Sequence, residues 1–564
     1  MIRDAIYKEI ETIAPSGVRF TLERPERSEF GDYSTNVALG AAEKESNPPA
    51  GGPRELADAY VAKLRAAKIK GVGTIEVAGA GFINFYLQDS VFVENLARIL
   101  KEKDAYGRNA SHAGEKIIIE YTDSNPFKEF HIGHLMSNAV GEAVARLFEA
   151  AGAEVKRANY QGDIGLHVAE AIYAMERRKI SMAGLRLWGS AQERMRFLGA
   201  AYAYGNQQYE KDPEAKAAIE RINKELYEKK NPADRIHSHY RIGRQWSLDH
   251  FDALYERLGT AFDFYFFESE TAAPGKKIVE EGLAKGIFER SEGAVIFRGE
   301  NHGLHTRVFL NSEGLPIYEA KELGLAQMKQ EKFPYDHSIT VTGNEIIDYF
   351  RVVLKAMEML WGREFTQKIR HIPHGMLRLP EGKMSSRTGS IITADALLAD
   401  IAAALKEKVH AKIADAVAVG AVKYSILRQA IGRDIMFDFD KSLSFEGDSG
   451  PYLQYAHVRA HSVVAKAHGF GVRSGVDRAD AIGELEKVLF AFPDVVERAQ
   501  KEFSPHHVCT YLIELARAFN RYYAEERIAD AGEQAAYRTA LASATGIVLK
   551  NGLHLLGIAA PERM

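Results

Sequence analysis

Between Lys116 and about Asn159 the sequence changes hydrophobic rhythm twice: an apolar strand from Lys116 to Tyr121, a helix of apolar period from His134 to Ala151, then a strand from Val155 to Asn159. Such alternation implies a parallel sheet with crossover helices, whose ligands sit beyond the carboxyl ends of the strands. At that edge stands His131-Ile132-Gly133-His134. A helix start presents unpaired backbone N–H groups that favour a phosphate, and imidazole donors beside them can follow charge that develops there. The segment predicts a nucleotide site. A His-x-Gly-His string arises by chance about 0.05 times in a chain with 19 His and 47 Gly among 564 residues. The competing reading, surface or capping histidines without chemistry, is weighed against the rest of the chain.

At about 100–200 residues per domain the chain holds three or four units. An N-terminal α+β unit is expected over 1–104, with an amphipathic helix carrying Ile2, Ile6, Ile10 and Ile13, a helix from Arg54 to Ala67 and a strand from Val77 to Leu87. The βα pattern is expected over 115–392, interrupted by a charged helical insertion at about 177–267 and resuming through Ala294 to Phe309 and Ser338 to Val341. From 393 to 564 helical periodicity takes over, and no repeats appear. No stretch approaches the roughly 20 apolar residues that span a bilayer, and the amphipathic start is not a secretory signal, so a cytoplasmic protein is expected. The single cysteine, Cys509, excludes an internal disulfide and a cysteine-built zinc site, and no protein metal centre is expected. A net charge of −4 argues against non-specific coating of nucleic acid.

A second motif, PEGKMSSRTG from Pro380 to Gly389, places Lys383 and Arg387 on a loop of small residues, cations suited to closing over a triphosphate. In the C-terminal helices aromatics interleave with Arg and His (Tyr452, Tyr455, His457, Arg459; Phe519, Arg521, Tyr522, Tyr523), which suits stacking on unpaired bases. Helical spacing makes at least half of them core.

His131 to His134 matches the HIGH motif of class I aminoacyl-tRNA synthetases, and Lys383-Met384-Ser385-Ser386-Arg387 resembles their KMSKS loop. FGDYSTNVAL, EYTDSNPFKEFHIGH, YQGDIGLH, FEGDSGPYLQYAHVR and the ending NGLHLLGIAAPERM together resemble arginyl-tRNA synthetases over essentially the whole chain. The resemblance implies a Rossmann-type catalytic domain with insertions, an N-terminal additional domain contacting the tRNA D-loop, and an all-α DALR anticodon-binding domain. It implies ATP-dependent joining of L-arginine to tRNA(Arg) through arginyl-adenylate by a monomer, with Mg²⁺ accompanying the phosphates.

Residue by residue, the resemblance assigns His131 and His134 to the developing α-phosphoryl charge, Gly133 to a close approach of adenine, and Lys383, Met384 and Ser385 to the phosphate-closing loop. Ser386 stands where many class I enzymes have a second lysine. In arginyl enzymes a lysine just upstream of HIGH is thought to compensate, and Lys128 stands there. Asp163, Gly165 and His167 fall at the nucleotide, His167 as a replacement donor. For arginine, whose guanidinium suits bidentate carboxylates, the matching positions are Glu120, Asn125, Glu268, Tyr318 and Glu322. Glu322 replaces an aspartate, Ile164, Leu166 and His167 break the G-D-W-G-T-Q pattern, and a glutamine expected near VTGNE gives way around Asn344 and Glu345. Asn84, Tyr455, Arg459 and Met564 are the RNA-facing candidates, with a satisfied strand asparagine as the other reading of Asn84. A class I synthetase of another specificity, a small nucleotidyltransferase and a non-catalytic tRNA-binding relative are the rival readings. FGDYSTNVAL and GFINF oppose the first, the long helical domain the second, and the retention of His131, His134, Lys128 and Lys383 the third.

Overall fold

Ile6 and Ile10 are buried, and Ile2 and Ile13 half-buried, along α1 (Ile2–Ile13), as the helical spacing predicts. The structure, a computed structural model, describes residues 2–25, 27–44, 52–178, 189–228, 234–379, 392–477, 482–530 and 532–564. α1 shares a core with an antiparallel sheet of order β1-β2-β4-β3, formed by β1 (Leu22–Glu23), β2 (Tyr33–Thr35), β3 (Val72–Ala78) and β4 (Phe82–Leu87). The single strand expected from Val77 to Leu87 is instead a hairpin: β3 and β4 pair antiparallel, and the turn between them holds Gly79 and Gly81 at positive φ. α2 (Val37–Lys44), α3 (Gly52–Ala67) and α4 (Asp89–Glu102) complete this part.

Two compact units emerge, one of Met1–Tyr106, Ala460–Phe492 and Arg517–Val548, the other of Gly107–Arg459, Pro493–Ala516 and Leu549–Met564. In the first, Phe490 meets Phe92 edge-on at 5.3 Å, and Lys487 pairs with Asp32 at 3.2 Å. Segments from both ends of the chain thus share one core, which no local periodicity announces.

The second unit is built on five parallel strands in the order β12-β11-β5-β6-β7. These are β5 (Lys116–Glu120), β6 (Glu154–Gln161), β7 (Phe264–Phe267), β11 (His337–Gly343) and β12 (Ile369–His374). Ile117, Ile118 and Ile119 of the central strand are wholly buried, as a strand covered on both faces requires. α5 (Ile132–Ala150) crosses from β5 to β6, and α6 (Leu166–Arg177) follows β6. The insertion comprises α7 (Ala191–Lys211), α8 (Pro213–Glu228) and α9 (Arg235–Leu258). It is shorter than the expected 177–267, because Phe264–Phe267 pairs with β6 as a sheet strand.

α10 (Glu268–Ala284) leads to a second difference: Ala294 to Phe309 does not resume βα alternation. It contributes to a small antiparallel sheet of β8 (Glu289–Ser291), β9 (Ala294–Phe297) and β10 (Arg307–Leu310). α11 (Tyr318–Lys332) precedes β11, and α12 (Ile347–Trp361) lies between β11 and β12. Beyond Thr393 the described chain is helical, apart from the two-residue strand Ile435–Met436 paired with Leu377–Arg378. No described helix is long and apolar enough to cross a membrane.

From β5 the chain builds outward through β6 to β7, then returns to lay β11 and β12 on the other flank. The reversal lies between β5 and β11, where this architecture opens a ligand crevice beyond the carboxyl ends. α5 begins there.

Candidate active site

The turn from β5 into α5 is strained and tightly held. Thr122, Asp123 and Phe127 adopt φ of 82°, 49° and 69°, a left-handed region that costs a side-chain-bearing residue about 1–3 kcal/mol. Long-range bonds impose it. The Thr122 N–H donates to Ser137 Oγ at 2.9 Å, and the Asn138 carboxamide donates to Thr122 Oγ1 at 3.0 Å. Tyr160 N–H donates to Asp123 Oδ1 at 3.0 Å, Phe127 N–H to Ser247 Oγ at 2.9 Å, and Ser124 and Tyr255 share a 2.5 Å hydroxyl bond.

The helix that follows is capped by its own histidines. His131 Nδ1 accepts from Gly133 N–H at 3.1 Å, and His134 Nδ1 accepts from His131 N–H at 3.3 Å, with the rings stacked 3.7 Å apart. Because each Nδ1 accepts, each ring proton sits on Nε2, free to donate. Burial, reinforced by the nearby Lys128 ammonium, lowers His131 and pushes His134 well below the ordinary histidine range, so both imidazoles are neutral. A Cβ on Gly133 would stand 2.9 Å from the His131 ring, so glycine lets the imidazole fold back onto the helix start. Lys128 is half-buried, with Nζ 4.6 Å from the ring centre of Tyr202 on α7.

Lys383, Met384 and Ser385 lie outside the described residues. The segment after them docks beside the histidines: Ile132 N–H donates to the Ile392 carbonyl at 3.3 Å, and Ala394 N–H to that of Phe130 at 2.9 Å.

Beyond β6, Gly162 is hemmed in by two predicted arginine positions. A Cβ there would lie 2.2 Å from Asn125 Oδ1 and 3.1 Å from Glu268 Oε1, so only glycine admits both. Asp163, a position expected at the nucleotide, follows. It is wholly buried and accepts from Arg244 Nε (2.8 Å), Tyr240 (3.0 Å), Ser269 N–H (2.9 Å) and Ser269 Oγ (2.8 Å), which makes it the tie between α9 and α10. Gly165 caps α6 at φ 135°. His167, expected as a donor near the nucleotide, donates its Nε2–H to the Gly162 carbonyl at 2.9 Å, which leaves Nδ1 as an acceptor. Burial, with Lys128 nearby, lowers His167 to about 3.

The remaining acids gather on the α11 side of the sheet. Lys329 Nζ donates to Glu120 at 3.0 Å, and Lys321 Nζ donates to Glu268 at 2.5 Å, all four side chains being buried. Burial opposes charge on both lysines, but Glu120 holds Lys329, and Glu268 with Tyr227 holds Lys321, above the ordinary lysine value. Glu322 is pushed up to about 8 by burial and by repulsion from Glu120, against the pull of Lys329. Asp123 is pushed well up by burial and by Glu120. Tyr318 stands at the rim, 61% exposed, its carbonyl accepting from the Tyr349 hydroxyl at 3.2 Å. A cleft of about 460 Å³ lined by Gly165, Tyr227, Tyr318 and Lys321 opens there.

Sequence reasoning missed Asp123, Lys321, Lys329 and Tyr349. A signal existed for one: Lys329 follows Glu322 and Leu325 at helical spacing, a lysine on a face otherwise turned inward.

Of the RNA candidates, Asn84 is buried in the N-terminal sheet, where its Oδ1 accepts from Ser34 Oγ at 2.7 Å. Tyr455 is exposed, with the Arg459 guanidinium 4.8 Å from its ring centre, and Met564 is half-buried.

Three family models match in order: the arginyl tRNA synthetase N terminal domain over residues 1–87, the class I (R) tRNA synthetase catalytic domain over 95–439, and the DALR anticodon binding domain over 453–564. A parallel sheet with paired imidazoles at its switch point, followed by that helical region, defines a class I aminoacyl-tRNA synthetase. An arginine–tRNA ligase of Treponema denticola is 31% identical, covering 97% of this chain and 95% of its own, and one of Streptococcus suis is 31% identical over the full length of both. The solved Thermus thermophilus arginyl-tRNA synthetase has the same fold, with a TM-score of 0.79 at 24% identity over 100% of this chain and 99% of that one. The chain belongs to the arginyl-tRNA synthetase family.

Proposed function

We propose that this enzyme activates L-arginine with ATP and transfers it to the terminal adenosine of tRNA(Arg). The arginine carboxylate attacks the α-phosphorus and pyrophosphate leaves. A terminal ribose hydroxyl then attacks the adenylate carbonyl and AMP leaves. The observation that carries the reading is the pair of neutral imidazoles at the start of α5, each with an Nε2–H donor. Charge accumulates on the α-phosphoryl oxygens in the transition state, and donors fixed beforehand lower the barrier without reorganising.

In this reading Lys128 and Lys383 neutralise the β- and γ-phosphates, with Met384 and Ser385 on the same closing loop. Gly133 and Gly165 border the nucleotide, and His167 faces it as an acceptor. Asn125 and Glu268 hold the α-amino end of arginine, while Glu322 and Tyr318 serve its guanidinium side. Glu120 borders that side, its carboxylate held by Lys329. Tyr455, Arg459 and Met564 face the tRNA. Mg²⁺ enters with ATP, held by phosphate oxygens and water. The one cluster of three such side chains among the described residues, Glu225, Asp234 and His237, belongs to the insertion. In this reading the enzyme works as a monomer in the cytoplasm.

The test is charging of tRNA with each of the twenty amino acids, ATP and Mg²⁺ supplied. Arginine is the expected substrate. Charging with another amino acid and none with arginine overturns the specificity.

A further inference from the structure

Four carboxylates and two ammonium groups meet at the carboxyl ends of β5 and β6. Glu120 and Glu268 each have a buried lysine, Lys329 and Lys321. Among the described residues neither Asp123 nor Glu322 has a cation within ion-pair distance. Each lies within electrostatic reach of Glu120, which raises it, and of Lys329, which opposes the rise, and Asp123 is also within reach of Glu322. Burying carboxylates without a counter-charge is costly, so both acids favour their protonated form until a cation arrives. A guanidinium supplies one charge and five N–H donors in a planar fork, enough for two carboxylates at once.

The lysine on Glu120 changes which acids are open to the substrate. Glu120 is the acid at the end of the central strand, but Lys329 already occupies one of its oxygens at 3.0 Å. Asp123, three residues on, is half-buried rather than sealed, and its backbone is held at φ 49°. Only Oδ1 is engaged, by the Tyr160 amide.

We propose that Asp123 is a specificity-determining residue that receives the guanidinium of arginine together with Glu322, while Glu120 stays with Lys329. The inference rests on arginine being the substrate. Oδ1 fixes the side chain between the two strands and Oδ2 takes a guanidinium N–H. Arginine then brings the missing charge, and citrulline, its neutral counterpart of the same shape, does not.

Asp123→Asn tests it, because the carboxamide oxygen still accepts from the Tyr160 amide while the charge is lost. The expected result in tRNA charging is a rise of tenfold or more in KM for arginine, with kcat and KM for ATP within threefold. Discrimination against citrulline as a competitor falls by a similar factor. Asp123→Ser, whose hydroxyl also accepts from that amide, replaces it should the asparagine variant not fold. A KM within threefold of wild type, or a loss carried equally by kcat, overturns the inference and leaves Asp123 as a clasp between strands. A wild type that charges nothing with arginine overturns the function itself, a distinct result.

Discussion

Lys329 and Glu120 form a 3.0 Å ion pair inside the protein, and it joins α11 to the central strand of the sheet. Removing one member of a buried pair strands the other charge, at a cost of about 3–5 kcal/mol, whereas exposed pairs contribute about 0–1 kcal/mol. Lys329→Met is therefore expected to lower the urea midpoint sharply, while Arg351→Met, which breaks the exposed pair with Asp348, leaves it nearly unchanged. Equal midpoints for the two variants would sink the argument.

Glu322 gives arginine binding a pH dependence. With its acid held at about 8, Glu322 is mostly protonated at pH 7, under the influence of Glu120, Asp123 and Glu268 against Lys329. Guanidinium binding favours the ionised form, so arginine expels nearly one proton at pH 7. Apparent affinity rises with pH by up to about tenfold per unit until about pH 8, then levels. Calorimetry in buffers of different ionisation enthalpy measures the released protons, and Glu322→Gln is expected to lower their number by nearly one at pH 7.

The imidazole pair has the opposite behaviour. His131 and His134 lie below the ordinary histidine range and act as neutral donors, so kcat at saturating arginine stays flat from pH 6.5 to 9. Replacing His134 by alanine removes a donor and costs about 10²–10³-fold in adenylate formation. His134→Gln, with an N–H in reach, recovers part of it. A kcat that climbs through pH 6.5 and loses that limb in either histidine variant would contradict neutral donors.

Lys128→Ala is expected to slow adenylate formation about 10²-fold while arginine affinity changes little, because its charge acts on phosphates. Equal losses in both would refute the phosphate role.

His167 predicts acid sensitivity. Its folded value of about 3 lies below the unfolded value near 6.5, so the unfolded chain binds the proton first. The stability it contributes is complete above pH 6.5 and declines as pH falls toward 3, by about 2 kcal/mol at pH 5. Urea unfolding at pH 7 and pH 5 checks this: His167→Gln is expected to lose about 2 kcal/mol less than wild type between them.

What was legible follows from what is local. The isoleucines of α1, the apolar run of β5 and the His131 to His134 turn carry their periods in consecutive residues, and the fold class followed. The Ala294 to Phe309 hairpins were missed because short apolar runs fit a strand before a helix as well as one before a turn. The acid site was only half visible. Lysine reads as a solvent residue until a partner such as Glu120, 209 residues away, makes its burial affordable. The clasp at Asp163 was hidden for the same reason, its partners lying 77 to 106 residues downstream.

The bonds that hold Thr122, Asp123, Ser124 and Phe127 come from residues 15, 37, 131 and 120 positions further along the chain. Two of those partners, Ser247 and Tyr255, sit on α9, the last helix of the insertion, so the turn cannot take its shape until that helix has docked. In folding, the turn then takes its shape only once β6 has paired with β5 and α9 has docked. The insertion acts as a latch on the catalytic turn.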